Sequence, residues 1–213
     1  QKSNKKYNQE RFFSINLLTK FMLIKYGLWS HIHKDKVFGY NKIITWHESL
    51  SEDVIFDSSD ISFDRLGYIV KEEDIIKSLD IKLKETENII FANSEDIELS
   101  KVNPEFILKS NYSNEDFLNY NKSYYESINY NQNAILMNLT CDHEINKLVA
   151  LQRFDKDHIQ GLLPISKNKY NLIWSAKSSV IDELINSEDR EILEILNTNL
   201  SDRIGKIQKI SPR

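Results

Sequence analysis

Cysteine, glycine and proline are scarce in this sequence of 213 residues, which contains one Cys, five Gly and three Pro. The single thiol, Cys141, excludes an internal disulfide and a zinc site built from several cysteines, and it fits a reducing compartment. Long apolar runs are also missing. The longest apolar piece, around Phe21–Tyr26, is interrupted by Lys20 and Lys25, so no segment is predicted to span a bilayer.

The scarcity of glycine excludes several nucleotide sites. A dinucleotide site needs a strand, a glycine-rich turn and a helix N-terminus, because glycine lets the backbone approach the pyrophosphate. No two glycines here lie close enough in sequence to build such a turn. The chain also has no phosphate loop and no Gly-x-Ser-x-Gly elbow. Nucleic-acid binding is not predicted, because residues 130–176 have no basic stripe with interleaved aromatics.

What is present is typical of a globular protein with 40% hydrophobic and 28% charged residues. The length allows one domain, or one large and one small lobe. Charge is uneven: residues 1–50 hold nine Lys/Arg against three Asp/Glu, although the whole chain has a net charge of −4. This basic end is either a solvated surface or a contact for an acidic partner or a membrane surface. Because the first residue is Gln, we expect a processed or excised chain.

Two groups of reactive side chains have alternative interpretations. His31 and His33 lie near Asp35, and this group is either a weak metal motif or a set of polar side chains in solvent. Cys141-Asp142-His143-Glu144 is either a Cys/His catalytic pair or the polar turn of a hairpin. No distant acidic or histidine motif accompanies the first group. We therefore predict neither a metal site nor a protein nucleophile.

Residues 130–176 organise the chain, because they contain four apolar segments separated by polar turns. We predict strands at Gln132–Thr140, Lys147–Phe154, His158–Ile165 and Lys169–Ser175, paired as an antiparallel meander. In the last strand Tyr170, Leu172 and Trp174 face one way, and Asn171, Ile173 and Ser175 face the other. Both faces of this sheet are predicted to be covered.

Helices and further strands are predicted around the meander. Ser14 is predicted to cap a helix with Leu17, Leu18, Phe21, Ile24 and Leu28 on its apolar face, and Gly27 suits its end. A second helix follows Val70, and Ser179 and Ser187 are predicted to cap two more, the last at Ser187–Leu200. Further strands are predicted at Val37–His47, Val54–Asp57, Glu87–Ala92, Asp96–Leu99 and Glu105–Leu108.

Four motifs in the meander occur in the order YNQNA, LQRF, GLLPI and LIWS. Upstream, Arg11 precedes Gly27-Leu28-Trp29, and LGYIV stands at Leu66–Val70. In this order and spacing the chain resembles the middle portion of the ubiquinone-biosynthesis flavin hydroxylases, which are FAD-dependent aromatic monooxygenases. The resemblance covers nearly the whole chain.

The resemblance implies an α+β (α/β) fold with a mixed, mainly antiparallel sheet covered by helices. Residues 31–65 and 132–213 would form the substrate-domain-like sheet, and residues 1–30 and 66–131 a remnant of the flavin-binding lobe. Arg11 would lie near the flavin. The candidates for the substrate pocket are Tyr40, Trp46, Gln152, Arg153, Leu163, Pro164 and Trp174. Tyr40 and Trp46 are predicted to share one face, either as core aromatics or as pocket walls.

The chain departs from the family pattern at its flavin motifs. Ser110 and Asn111 stand where the family has Asp-Gly, and Lys71 and Glu72 replace an acid and an amide after LGYIV. Arg203–Arg213 resembles the run just before the family's Gly-Asp motif. We therefore predict that this chain alone binds no FAD.

Two functions follow from these observations. The chain is either the substrate-binding portion of a hydroxylase that acts on a prenylated phenol, or a non-catalytic relative without FAD that serves as a binding or structural subunit. Either one requires a protein partner or the remainder of a longer polypeptide. The resemblance implies a location at the cytoplasmic face of a bacterial membrane or the matrix side of the mitochondrial inner membrane.

Overall fold

The computed structural model describes residues 10–90, 105–106 and 128–213. By backbone contacts the chain divides into one unit of residues 1–5 and 87–130 and another of residues 6–86 and 131–213. The second unit contains the elements described below. The predicted strands Asp96–Leu99 and most of Glu105–Leu108, together with Ser110 and Asn111, lie outside the described residues.

Ten strands and four α-helices form the described part of the chain. The strands are β1 Phe12–Asn16, β2 Val37–Tyr40, β3 Lys42–His47, β4 Val54–Asp57, β5 Gly67–Lys71, β6 Gln132–Cys141, β7 Val149–Phe154, β8 His158–Ser166, β9 Lys169–Lys177 and β10 Ile207–Ile210. The helices are α1 Leu17–Lys25, α2 Glu72–Lys84, α3 Ser178–Asn186 and α4 Asp189–Ile204. Within these described residues no helix is both long and apolar enough to cross a membrane.

The strands form two sheets. The small sheet has the order β1-β5-β2 and is antiparallel. The large sheet has the order β10-β6-β9-β8-β7-β3-β4, in which the pairing of β3 with β7 is parallel and the other pairings are antiparallel. The predicted mixed, mainly antiparallel fold is confirmed. The predicted four-strand meander is correct for β7, β8 and β9 but wrong for β6, which pairs with β9 and not with β7.

Helices α3 and α4 cover one face of the large sheet. Ile192, Leu196 and Leu200 of α4 are fully buried against Leu172 and Trp174 of β9. This arrangement confirms the predicted packing of the last helix against the sheet. It also confirms that Tyr170, Leu172 and Trp174 share one face, because all three belong to the same core cluster.

Several local predictions are wrong. Ser14 lies in β1 rather than at a helix cap, and α1 is capped by Asn16, whose Oδ1 accepts a hydrogen bond from the Thr19 N–H at 2.7 Å. Lys177 and Glu188, not Ser179 and Ser187, precede α3 and α4. Residues 87–90 form no strand, because they lie in a turn and irregular chain after α2.

The segment Val37–His47 is two strands rather than one. β2 ends at Tyr40 and belongs to the small sheet, whereas β3 begins at Lys42 and belongs to the large sheet. The turn at Asn41 is held by its N–H, which donates to the Leu148 carbonyl at 2.8 Å. Tyr40 and Trp46 therefore lie in different core clusters and do not share a face as predicted.

Candidate functional site

A cavity of ≈ 450 Å³ lies on the face of the large sheet that α3 and α4 do not cover. Side chains alternate between the two faces of a strand, so Gln152 of β7 and Ile173 of β9 point away from the helices. They line the cavity together with residues of β3, β8 and the small sheet. The full lining is Ser14, Tyr40, Ile43, Ala150, Leu151, Gln152, Ile159, Gly161, Leu163, Ile173 and Ser175.

The small sheet supplies the opposite wall through Ser14 and Tyr40. The Ser14 Oγ and the Tyr40 OH lie 2.8 Å apart and form a hydrogen bond. Tyr40 is 5% exposed and packs with Ile69, Ala150 and Ile165. Ser14 and Ile159 are exposed, so the cavity opens to solvent.

The chemistry of this lining is neutral. Its polar groups are the hydroxyls of Ser14, Tyr40 and Ser175 and the amide of Gln152, and the described lining contains no charged side chain. In the Ser14–Tyr40 pair one hydroxyl donates to the other, which leaves one O–H hydrogen of the pair free to donate to a ligand. A cavity of this kind suits an uncharged, mostly apolar molecule with one or two polar groups.

The predicted pocket residues separate into two groups. Tyr40, Gln152 and Leu163 line the cavity. Trp46, Arg153 and Trp174 face α4 on the other side of the sheet. Pro164 is buried opposite Tyr170 in the β8–β9 pairing and does not line the cavity.

Sequence reasoning missed eight of the lining residues: Ser14, Ile43, Ala150, Leu151, Ile159, Gly161, Ile173 and Ser175. Strand alternation around Gln152 and Leu163 would have found Ala150 and Gly161, because residues two apart in a strand share a face. Ser14 carries no such signal, because its role depends on β1 pairing with β5 across more than 50 residues of sequence.

Arg153 instead forms an ionic cluster at the end of β7 and the start of β8, in which Arg153 is buried and Glu48 is exposed. Its side chain is 6% exposed, and its Nη2 donates to Glu48 Oε2 at 2.7 Å and to Asp155 Oδ2 at 3.2 Å. His158 Nε2 lies 3.1 Å from the same Asp155 oxygen. The Lys156 backbone N–H, together with His158 and Arg153, holds the pKa of Asp155 below its usual value. The cluster joins β3 to the β7–β8 hairpin.

The Cys141 group does not form a nucleophilic site. Cys141 is the last residue of β6 and is 1% exposed. Burial, with a smaller contribution from the Asp142 charge, raises the pKa of its thiol to about 11. The His143 Nδ1 lies 2.7 Å from Asp142 Oδ1. The thiol therefore stays protonated and inert at neutral pH.

No cluster of three or more metal-ligating side chains occurs in the part of the chain that the structure describes. His33 Nδ1 and Asp35 Oδ1 are 3.5 Å apart, but their side chains are 82% and 79% exposed. His31 instead lies 3.7 Å from Glu85. These three residues form no common site.

The junctions that lead into α1 and α2 do not fit the pyrophosphate of FAD. β5 leads directly into α2, whose first turn carries Glu72, Glu73 and Asp74. β1 leads into α1, where the Asn16 side chain accepts a hydrogen bond from the Thr19 N–H. Neither junction contains a glycine, so neither lets the backbone approach a pyrophosphate closely.

Arg11, which the resemblance places near the flavin, precedes β1. Its Nη1 donates to Glu72 Oε1 at 3.1 Å, and its guanidinium lies 5.5 Å from the centre of the Phe13 ring. Its side chain is 45% exposed. The structure thus gives Arg11 a protein partner at the N-terminus of α2.

Comparisons with known proteins agree with this fold. No family profile matches the chain. The rat ubiquinone biosynthesis monooxygenase COQ6, a mitochondrial protein, is 21% identical over 212 residues, which cover 88% of this chain and 44% of the rat protein. The chain therefore spans less than half the length of this curated relative.

Solved structures of flavoproteins have a similar fold. PqsL, a probable FAD-dependent monooxygenase from Pseudomonas aeruginosa, superposes with a TM-score of 0.60 at 9% identity, covering 95% of this chain and 63% of PqsL. A flavoprotein/dehydrogenase from Cytophaga hutchinsonii gives a TM-score of 0.52 at 9% identity, covering 94% and 57%. The resemblance seen in the sequence is confirmed: in sequence and in fold, the chain is similar to part of a flavin-dependent monooxygenase.

Proposed function

We propose that this chain is the substrate-binding portion of an FAD-dependent aromatic hydroxylase, and that its cavity holds a neutral prenylated phenol. The observation that carries the proposal is the uncharged, mostly apolar lining on the face of the large sheet opposite α3 and α4. Its volume of ≈ 450 Å³ lies within the range of about 300–1,000 Å³ that is usual for small-molecule sites.

The apolar walls favour a prenylated ring over a charged one. Ile43, Leu163 and Ile173 offer hydrocarbon surface, and burying apolar area contributes about 25 cal/mol per Å². A carboxylate placed against these walls would lose its hydration without gaining a cationic partner. Ile159 is 38% exposed at the edge of the cavity, so a prenyl tail longer than the cavity has an exit beside it.

The Ser14–Tyr40 pair is proposed to orient the phenol. The free O–H hydrogen of the pair can donate to the phenol oxygen, and the second hydroxyl oxygen keeps a lone pair to accept from it. Gln152 and Ser175 provide further polar contacts across the cavity. This chain would therefore bind and orient the ring and exclude water from it. The redox chemistry would belong to a flavin bound elsewhere in the enzyme.

A substitution at Gly161 tests this proposal. An added Cβ at Gly161 would meet no atom closer than the Ile173 carbonyl oxygen at 4.0 Å, so a larger side chain fills the cavity without displacing the backbone. We expect Gly161→Leu to weaken binding of a short-chain prenylated phenol at least tenfold, measured by calorimetry, with Gly161→Ala between it and the parent chain.

Thr198→Leu is the matched control, because it adds similar bulk at an exposed position of α4 on the other side of the sheet. It should leave phenol binding unchanged. Undiminished binding by a folded Gly161→Leu chain would contradict the assignment of this cavity as the phenol site.

A second function is supported by the strand-to-helix junctions. The acidic first turn of α2 and the capped first turn of α1 disfavour a pyrophosphate at these two helices, which supports a relative without FAD that serves as a binding or structural subunit. The two functions differ in FAD binding. The full-length polypeptide should bind FAD if it is the hydroxylase and should not bind it if it is the non-catalytic subunit.

Under either function we propose a protein partner for α1. Helix α1 has no buried residue, and Leu18, Phe21 and Ile24 are 69%, 60% and 51% exposed. Exposed apolar surface of this kind marks an interface. We propose that its partner is flavin-lobe polypeptide, since this chain spans only 44% of its rat relative.

A further inference from the structure

A second cavity, of ≈ 480 Å³, shares no lining residue with the first. It lies beside β2, the start of β5 and the loop that precedes β7. Its lining consists of Val37, Phe38, Gly39, Asp64, Arg65, Tyr68, Lys147 and Leu148. Two cationic side chains, Arg65 and Lys147, therefore line one concave site together with the aromatic residue Tyr68.

Backbone hydrogen bonds fix the walls of this second cavity. The Leu66 N–H donates to the Tyr40 carbonyl at 2.9 Å, and β2 pairs with β5 so that Gly39 stands opposite Tyr68. On the other side, the N–H groups of Asn41 and Lys42 donate to the Leu148 carbonyl at 2.8 and 3.1 Å. The segments that carry Arg65 and Lys147 are thus held by the two sheets.

Arg65 is positioned by its neighbours. Its Nη1 donates to the main-chain oxygen of Asp64 at 2.7 Å. A Cβ built on Gly39 would lie 3.0 Å from Arg65 Nε and 3.2 Å from Tyr68 Cε1, so the guanidinium packs over Gly39 beside the Tyr68 ring. This leaves most of the N–H donors of the guanidinium available to a ligand.

The two cations also lack carboxylate partners. Lys36, Lys42 and Arg203 pair with Asp74, Asp57 and Asp53 at 2.8, 2.8 and 2.6 Å. Among the described residues, neither Arg65 nor Lys147 has a carboxylate oxygen within 4.0 Å. Asp64 supplies one negative charge to the lining, against the two positive charges. The cavity therefore carries a net positive charge that a ligand can neutralise.

We propose that this second cavity binds a small planar organic oxyanion. Its phosphate or carboxylate would pair with Arg65 and Lys147, since the planar guanidinium matches the two oxygens of such groups. Its ring would lie beside Tyr68, which shares a face of the small sheet with Gly39 and lies next to Arg65. A nucleoside monophosphate and an aromatic carboxylate share this chemistry.

Titration of the 213-residue chain with adenosine 5′-monophosphate and with benzoate, followed by amide chemical shifts, tests the proposal. We expect at least one of the two to bind with shifts at β2 and at residues 64–68. Arg65→Gln and Lys147→Gln should each weaken that binding at least fivefold, and Arg65→Lys, which keeps the charge but loses the planar fork, should fall between. Lys84→Gln, at an exposed position of α2, is the matched control and should bind as the parent chain does.

Further comparisons distinguish the two kinds of ligand and the two cavities. Tighter binding of the monophosphate than of benzoate identifies a nucleotide site, and the reverse identifies an aromatic acid site. Gly161→Leu should leave the affinity unchanged. The proposal is overturned if neither anion binds, if adenosine or inorganic phosphate binds as tightly as they do, if both Gln variants bind unchanged, or if Gly161→Leu abolishes binding.

Discussion

At the scale of single residues, Cys141 shows how burial sets reactivity. Its thiol lies in the core cluster with Tyr170, and these side chains are 1% and 3% exposed. Burial raises the pKa of the Tyr170 hydroxyl as well, and the Cys141 charge would raise it further. Because the folded thiol has a pKa near 11 against an ordinary value of 9.0, it contributes stability that is complete below pH 9 and is lost as the pH rises through 11.

The first residue-scale prediction concerns the rate of thiol labelling. We expect Cys141 in the folded chain to react with iodoacetamide at pH 8 at least about 100-fold more slowly than in the denatured chain, because thiolate and access are both missing. A chain with Cys141→Ala and Thr198→Cys is the control and should react at the denatured rate, since position 198 is exposed. Equal rates for the two native chains would show that Cys141 is accessible.

Arg153 shows which part of the site the sequence could reveal. The LQRF motif draws attention to Gln152 and Arg153 together, but neighbours in a strand face opposite ways. Gln152 faces the cavity and Arg153 faces the helix-covered side. Both faces of β7 are covered, so polarity alone does not indicate which of the two residues reaches a ligand. Only the pairing with β3 and β8 settles it.

At the scale of elements, long-range pairing overrides local capping signals. Ser14 has the residue type of an N-cap, yet the segment Phe12–Asn16 pairs with β5 from Phe12↔Lys71 to Asn16↔Gly67. The cap moves two residues onward to Asn16, which is an equally good capping residue. At α4 the cap is Glu188, because its side chain and that of Glu191 bind each other's backbone N–H groups.

An element-scale prediction follows from the uncovered surface of α1. Leu18 and Phe21 are more than half exposed, so the chain alone should self-associate at micromolar concentration and bind a dye specific for apolar surface. Leu18→Glu with Phe21→Glu should reduce both effects, as measured by sedimentation and dye fluorescence. Thr19→Glu, at an exposed polar position of the same helix, should change neither. A stable monomer without dye binding would contradict the proposed partner interface.

At the scale of the whole molecule, the sequence predicted the bounds of the strands between residues 132 and 177 best. The predicted strand Gln132–Thr140 differs from β6 by one residue, and His158–Ile165 differs from β8 by one. β7, β8 and β9 pair with their sequence neighbours through short turns, so their pattern is local. β6 pairs with β9 instead of β7, which the local pattern does not encode. The parallel pairing of β3 with β7 joins residues over 100 positions apart, and no local pattern encodes it. The division of Val37–His47 between two sheets was unpredictable for the same reason.

The last prediction concerns FAD and the whole chain. A flavin dinucleotide needs N–H groups at a helix N-terminus to balance its pyrophosphate, and the first turns of α1 and α2 offer a capped donor and three carboxylates instead. We expect the purified chain to be colourless. We also expect FAD at high micromolar concentration to leave the melting temperature unchanged. A ligand that binds the folded chain, present at about 100 times its Kd, would stabilise it by about 2.7 kcal/mol and raise the melting temperature.

Arg11→Gln serves as the matched variant for this FAD titration. It removes the pairing with Glu72 at 3.1 Å and the cation that the resemblance assigns to the flavin. If the parent chain binds no FAD, adding FAD should change the melting temperature of neither protein. A yellow chain with stoichiometric flavin, weakened by Arg11→Gln, would show that a site exists despite the capped junctions. That result would favour the hydroxylase over the non-catalytic subunit, because a retained flavin site is what the subunit lacks.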